Sequence, residues 1–322
     1  MRQFVLAFAV MSAAVPLRAQ TQDSVRSVER TPNSRQDFQG IWTNETLTPL
    51  ERPKKFEDKA FYTEAEREAF QGAVRDYNQA LQGEENLKTS GDVGFEAAER
   101  GPLWGNRRTA LIVDPPNGML PPRLPEAQRR LEALKDRRIQ HLGDGPEEFS
   151  DRERCRTWNS PPMLAPPSNT QIQIVQTPGY VLLSLEMFGE VRIIPLDGRP
   201  HLAPGIRQLK GDSRGRWEGD SLVVETTNFV RKGAYSVTDP LNGLDESLRV
   251  IEQFTLVDPD TMLYRFTVDD ATVYGRSWTA ELPLTRATKP MFEYACHEGN
   301  YSLGNSLTGA RAEQSREAAV PR

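Results

Sequence analysis

The chemistry open to this chain rests on three histidines and on arginines and carboxylates set among apolar strands. In "EYACHEGNY" His297 stands beside Cys296 and Glu298, and in "EVRIIPLDGRPHLAPGIRQLKGDSRGRW" His201 lies among Glu190, Arg192, Asp197, Arg199, Arg207, Asp212, Arg214 and Arg216. A histidine with a carboxylate partner can take and return a proton near neutral pH, which makes His297, His201 and Glu225 the candidates for acid/base work. Arg192, Arg214 and Arg265 could hold an anionic or hydroxylated ligand through two-point guanidinium contacts, with Trp217 as a ring surface. The default reading of the same arginines and carboxylates is a solvated ion-pair loop. Glu186, Glu252, Asp269 and Glu281 also interrupt apolar strands, and alternation predicts that most of them point to solvent.

Two tempting motifs fail on context. "GDSRG" satisfies G-x-S-x-G and nominates Ser213 as a nucleophile, but the elbow needs a buried strand before it and a helix after it. Here "APGIRQLK" leads in and the hairpin "RWEGDSLVV" leads out, so the expectation is a hydrogen-bonded turn. In "HEGNY" the position four after His297 is Tyr301, so the zinc motif H-E-x-x-H is absent. A metal site would have to combine His201, His297 and a distant carboxylate, and no metal ligand set is assigned. There is no phosphate loop, dinucleotide fingerprint or haem attachment pair, so no cofactor is expected.

If "FEYACHE" is a strand, parity places Phe292, Tyr294 and Cys296 on a core face and His297 on the other. Cys155 and Cys296 are the only cysteines, and pairing them would close a loop of about 140 residues, worth at most about 5 kcal/mol in the chain-entropy picture.

The elements that must position these groups begin after residues 1–19. There Arg2, the apolar run Phe4–Val15, Pro16 and Ala19 read as a cleaved secretory signal, with cleavage after Ala19. Export to the periplasm or beyond puts the two thiols where they pair. No later run is long and apolar enough to span a bilayer. A net charge of -5, from 40 basic and 45 acidic residues, leaves no basic patch for nucleic acid.

Residues 20–36 read as a flexible leader, 37–160 as an N-terminal strand and helical region, 161–308 as an antiparallel β domain and 309–322 as a frayed tail. Phe38, Ile41 and Trp42 suit a short buried strand. Thr63 with Glu66 forms a capping box ahead of Phe70, Val74, Tyr77 and Leu81 at helical spacing. Glu84 to Gly105 reads as a long surface loop. A second helix carries Leu124, Ala127, Leu131 and Leu134.

From about Thr170 short strands follow one another without intervening helices. Breaks at Pro178-Gly179, Gly189, Glu218-Gly219-Asp220 and the Asp-Pro-Asp-Thr turn give a mainly β chain. The expected fold is an antiparallel meander forming a barrel or strongly curved sheet, with a sandwich as the alternative and the two helices packed outside.

The runs "GDSRGRWEGDSLVVETTNF" and "RVIEQFTLVDPDTMLYRFTVDD", with "EYACHEGNYS", resemble a large set of exported bacterial proteins frequent in soil acidobacteria and in proteobacteria. The likeness runs from "QGIWTN" at Gln39 to "GAR" at Gly309. It implies export and an all-strand C-terminal part, and it carries over no catalytic residue.

Two readings of function follow. In the first, a periplasmic barrel binds a small polar or aromatic molecule in its lumen and transforms it without a cofactor, by isomerisation, elimination or hydrolysis. In the second, the polar loops are the recognition surface of a non-catalytic ligand-binding or envelope-interaction module. A metal-dependent enzyme is the weaker third.

Overall fold

A computed structural model of the chain describes residues 31, 35–56, 58–81, 107–141, 143–158, 161–166, 169–230 and 246–318. The expected signal segment and the loop from Glu84 to Gly105 lie outside the described residues. Within them the chain forms β1 (Gly40–Thr43), α1 (Glu64–Leu81), β2 (Ile112–Asp114), α2 (Pro125–His141), β3 (Gln171–Gln176), β4 (Tyr180–Leu185) and β5 (Glu190–Pro195). These are followed by β6 (Asp212–Glu218), β7 (Ser221–Thr227), β8 (Arg249–Asp258), β9 (Thr261–Asp269), β10 (Trp278–Arg286) and α3 (Ser302–Ala318).

All strand pairings are antiparallel, in the order β5-β4-β3-β1-β10-β9-β8-β7-β6, with β2 added beside β10. The sheet curls into a nearly closed barrel, as the succession of short strands predicts. β1, from the N-terminal region, lies between β3 and β10, so the two regions share one sheet.

Period-two alternation supplies the core. Ile172 and Ile174 on β3, Val181 and Leu183 on β4, Val250 and Phe254 on β8, Met262, Tyr264, Phe266 and Val268 on β9, and Trp278, Ala280, Leu282 and Leu284 on β10 are almost wholly buried. With Trp42, Phe38, Ile112 and Met163 they fill the barrel interior with side chains. Each large apolar side chain so buried contributes about 1.5–3 kcal/mol.

The two ends of the sheet, β5 and β6, meet without a backbone ladder. A Cβ added at Gly215 of β6 would lie 2.8 Å from Ile194 Cγ2 and 2.7 Å from Leu196 Cδ2, so glycine lets the β5 side chains close onto the β6 backbone.

α1 forms as its capping box predicts. The Thr63 hydroxyl accepts the Glu66 amide at 3.3 Å, and Glu66 accepts the Thr63 amide at 2.8 Å. On α1, Phe70 stacks on Tyr62, while the side chains of Val74, Tyr77 and Leu81 lie outside the described residues. α2 buries Ala127 and Leu131 against the barrel.

Three expectations are corrected. "FEYACHE" is not a strand: the chain from Met291 to Asn300 forms irregular backbone and turns, and Phe292 is 66% exposed. The expected frayed tail is helical through Ala318, because Leu303, Leu307 and Ala310 form a stripe, and Ala310 lies against Gly143 just past the end of α2. The end of the expected leader is docked: the Gln36 side chain accepts the Leu256 amide at 3.1 Å, and Arg35 lies over Trp217.

Candidate functional site

Strand parity on β6 sends Ser213, Gly215 and Trp217 inward and Asp212, Arg214 and Arg216 outward. Before β6 a proline-containing loop carries His201 back over the outer face. Asn228, at positive φ just past β7, holds that loop: its side-chain amide donates to the carbonyls of Leu202, Ala203 and Ile206 at 3.0–3.1 Å. Asparagine tolerates this left-handed backbone and still offers two donors.

His201 thereby sits with Nδ1 3.0 Å from Oδ2 of Asp212. Asp212 is buried and also accepts the Leu202 amide at 3.0 Å and Arg214 Nη1 at 2.6 Å. Arg214 Nε grips the carbonyl of Pro200, one residue before the histidine. An aspartate receiving a guanidinium and an amide acts as acceptor, so the His201 proton belongs on Nδ1 and the Nε2 lone pair is left free. No hydrogen bond to Nε2 occurs among the described residues, and the His201 side chain keeps 26% of its surface exposed.

Glu225 faces Arg214 across the β6–β7 ladder. Arg249 Nε donates to it at 2.6 Å. That hydrogen bond holds the Glu225 carboxyl below the usual glutamate range against a smaller opposing effect of burial, with the Arg249, His201 and Arg216 charges adding to it. That lowering favours the ionised form of Glu225 beside Arg249.

Directly beneath, inside the barrel, lies a second polar cluster. Arg192 of β5 donates Nη1 and Nη2 to the two carboxylate oxygens of Glu252 on β8, at 2.9 and 2.5 Å. Nη2 also reaches Ser213 Oγ of β6 at 3.3 Å and Thr226 Oγ1 of β7 at 3.4 Å. Tyr264 of β9 donates to Glu252 at 2.7 Å and accepts the Met163 amide at 2.9 Å. Five strands thus converge on one buried ion pair, and Arg192 joins β5 to the strands across the open seam.

Burial opposes the Arg192 charge, yet the facing Glu252 carboxylate outweighs it and lifts the guanidinium pKa above its ordinary value. Burial, and then the Glu252 charge, push the Tyr264 phenol well above its ordinary value.

The structure therefore brings together His201, Glu225 and Arg214 on the outer face and sets Arg192 below them. It disperses the rest. Trp217 turns inward and packs on Phe38 with ring centroids 5.2 Å apart. Arg265 forms a cross-strand ion pair with Glu281 on the β9–β10 face. His297 lies in an exposed turn and makes no side-chain hydrogen bond or ion pair among the described residues. Cys155 and Cys296 are bonded, with Cα atoms 5.7 Å apart, so that stretch fastens the chain after β10 to the segment after α2.

Ser213 is neither an elbow nor a turn residue. It sits on a strand, half of a buried pair with Thr226 at 2.9 Å. Glu252 points into the core, against the expectation for charged strand residues, because Arg192 and Tyr264 supply its partners there. Asp212 stands in the polar cluster around His201 in the sequence without being marked as its partner, and Asn228 carries no signal beyond an asparagine placed directly after a strand. Among the described residues no group of three or more histidine, cysteine, aspartate or glutamate side chains could hold a metal. The chain matches no family model, no curated protein and no solved structure.

Proposed function

We propose that this is an exported protein whose barrel carries a small polar organic molecule on its outer β6–β7 face and moves a proton on it through His201. The observation behind this reading is the His201–Asp212 pair: a partly exposed imidazole whose Nδ1 is fixed by a buried carboxylate, itself held by Arg214 and a backbone amide. Asp212 orients the ring and stabilises the imidazolium that forms when Nε2 accepts a proton. Arg214 and Arg249, each already paired with a carboxylate, Asp212 and Glu225, offer guanidinium donors to a hydroxylated or anionic substrate. Such a base serves isomerisation, elimination or hydrolysis without a cofactor.

Export rests on the N-terminal signal pattern and suits the disulfide. Among the described residues no helix is long and apolar enough to cross a membrane.

A second reading, binding without chemistry, draws support from the side chains that fill the barrel and leave the histidine on an open face. A screen of small esters, hydroxy acids and keto acids separates the two. Turnover that falls by roughly 10²–10⁴ in His201→Asn and also drops in Asp212→Asn supports proton transfer. Turnover unchanged in His201→Asn overturns it. Ligand-induced stabilisation lost in Arg214→Met, with no product formed, assigns the face to binding alone.

A further inference from the structure

A cleft of ≈ 350 Å³ lies apart from this face, between the segment joining β2 to α2 and the turn joining β9 to β10. Its walls are Pro115, Leu120, Pro121, Pro122 and Leu124 on the apolar side, with Asn117, Arg123 and Arg276 as the polar groups. That volume falls within the range of about 300–1,000 Å³ typical of small-molecule sites, and mostly apolar walls with a few polar groups are their usual lining.

The walls are fixed before any ligand arrives. Leu124 N donates to the Val273 carbonyl at 2.8 Å, Leu120 N to Glu51 at 2.9 Å, and buried Arg52 to the Pro116 carbonyl at 3.2 Å. Arg276 closes the other side by pairing with both oxygens of Asp114 at 2.6 and 2.7 Å.

Arg123 is the exception. Its guanidinium lies 5.3 Å from the Tyr274 ring centroid, its Nη1 is buried, and it makes no hydrogen bond or ion pair to any described residue. Nη1 of this half-buried guanidinium, beside an aromatic ring, lacks the acceptor that buried donors almost always have. No carboxylate lines the cleft to provide one. We infer that the cleft is a binding site for a small organic monocarboxylate: Arg123 takes the carboxylate, and the proline and leucine walls cover an apolar aliphatic or aromatic body. Asp114 already offsets the charge of Arg276, so Arg123 supplies the net attraction.

The probe is benzoate, followed by amide chemical-shift changes at residues 115–124 and 273–277 of the full mature chain. Benzamide serves as the neutral analogue and acetate as the carboxylate without a body. Saturable benzoate binding confined to this cleft, about 10–100-fold weaker for benzamide, matches one charge-assisted hydrogen-bond set and supports the site. Acetate should bind more weakly than benzoate. Arg123→Met should abolish benzoate binding and Arg123→Lys retain part of it, while Arg265→Met, on the outer face of the sheet, leaves it intact. Equal affinity for benzoate and benzamide, binding retained by Arg123→Met, or no saturable shifts in the wild-type chain would each overturn the inference. None of these readouts involves His201, so failure of the proton-transfer reading leaves this test untouched.

Discussion

Arg192 and Glu252 give the sharpest test of how the barrel closes. With side-chain exposures of 2% and 0%, both ions have lost their water. Removing one partner of such a pair costs about 3–5 kcal/mol, whereas replacing both with apolar groups is close to neutral. Arg192→Met leaves Glu252 with only the Tyr264 hydroxyl, while Ser213 and Thr226 keep each other, so a loss of about 3–5 kcal/mol is expected. Glu252→Leu is the worse change. It strands the guanidinium on two contacts of 3.3 and 3.4 Å and also removes the acceptor of the Tyr264 hydroxyl, which adds about 1–3 kcal/mol.

The double variant should retain only that tyrosine deficit, about 1–3 kcal/mol, since the Tyr264 hydroxyl still accepts the Met163 amide and has lost only its own acceptor. The assay is urea unfolding of all four chains with the disulfide oxidised, comparing midpoints at constant slope. Should Glu252→Leu lack a folded baseline, refolding of the double variant where the single one stays unfolded gives the same answer. Additivity of the two single changes within about 0.5 kcal/mol would refute the reasoning, since it would mean that the two side chains do not depend on each other.

The disulfide spans 141 residues, so chemical reduction, or Cys155→Ser, should lower stability by up to about 5 kcal/mol, read as a fall in the urea midpoint on adding a reductant. Gly211→Ala should destabilise the start of β6 by about 1–3 kcal/mol. Its φ of +68° disfavours a side chain, and the new Cβ would lie 2.6 Å from the Thr227 carbonyl oxygen, so the Asp212 amide should lose exchange protection. At the α1 N-terminus, the Lys59 hydrogen bond and then those of the Thr63 amide and hydroxyl lower the Glu66 pKa to about 2. A folded value below the unfolded one means that the cap stabilises above the ordinary glutamate range and is lost as pH falls through about 2. The protection of the Glu64 to Arg67 amides, relative to their intrinsic exchange at each pH, should therefore fall between about pH 4.5 and pH 2, and Glu66→Gln should flatten that dependence.

What could be read from the chain follows from which physical signals are local. The β8–β9 hairpin and its inward face were legible because alternation of Val250, Phe254, Met262, Tyr264 and Phe266 is set by the strand itself and the Asp-Pro-Asp-Thr turn marks the reversal, though not the register shift between Leu256 and Asp258. The same alternation already put Glu252 among core residues. Its burial is not legible locally, because its partner, Arg192, lies 60 residues away on a strand that meets β6 only when the sheet curls. "FEYACHE" carries an equally good alternation and forms no strand, since a strand also requires a neighbour, and the strand it follows offers none. β10 already has β9 on one side and β1 with β2 on the other. Whether an edge is open is a property of the finished sheet and leaves no trace in a seven-residue window. His201 was legible as a residue type and its function was not, because Asp212 reaches it only through the loop that Asn228 holds. A dyad assembled by a loop clamp is invisible to spacing, whereas one carried on a single strand or helix would have shown itself by period.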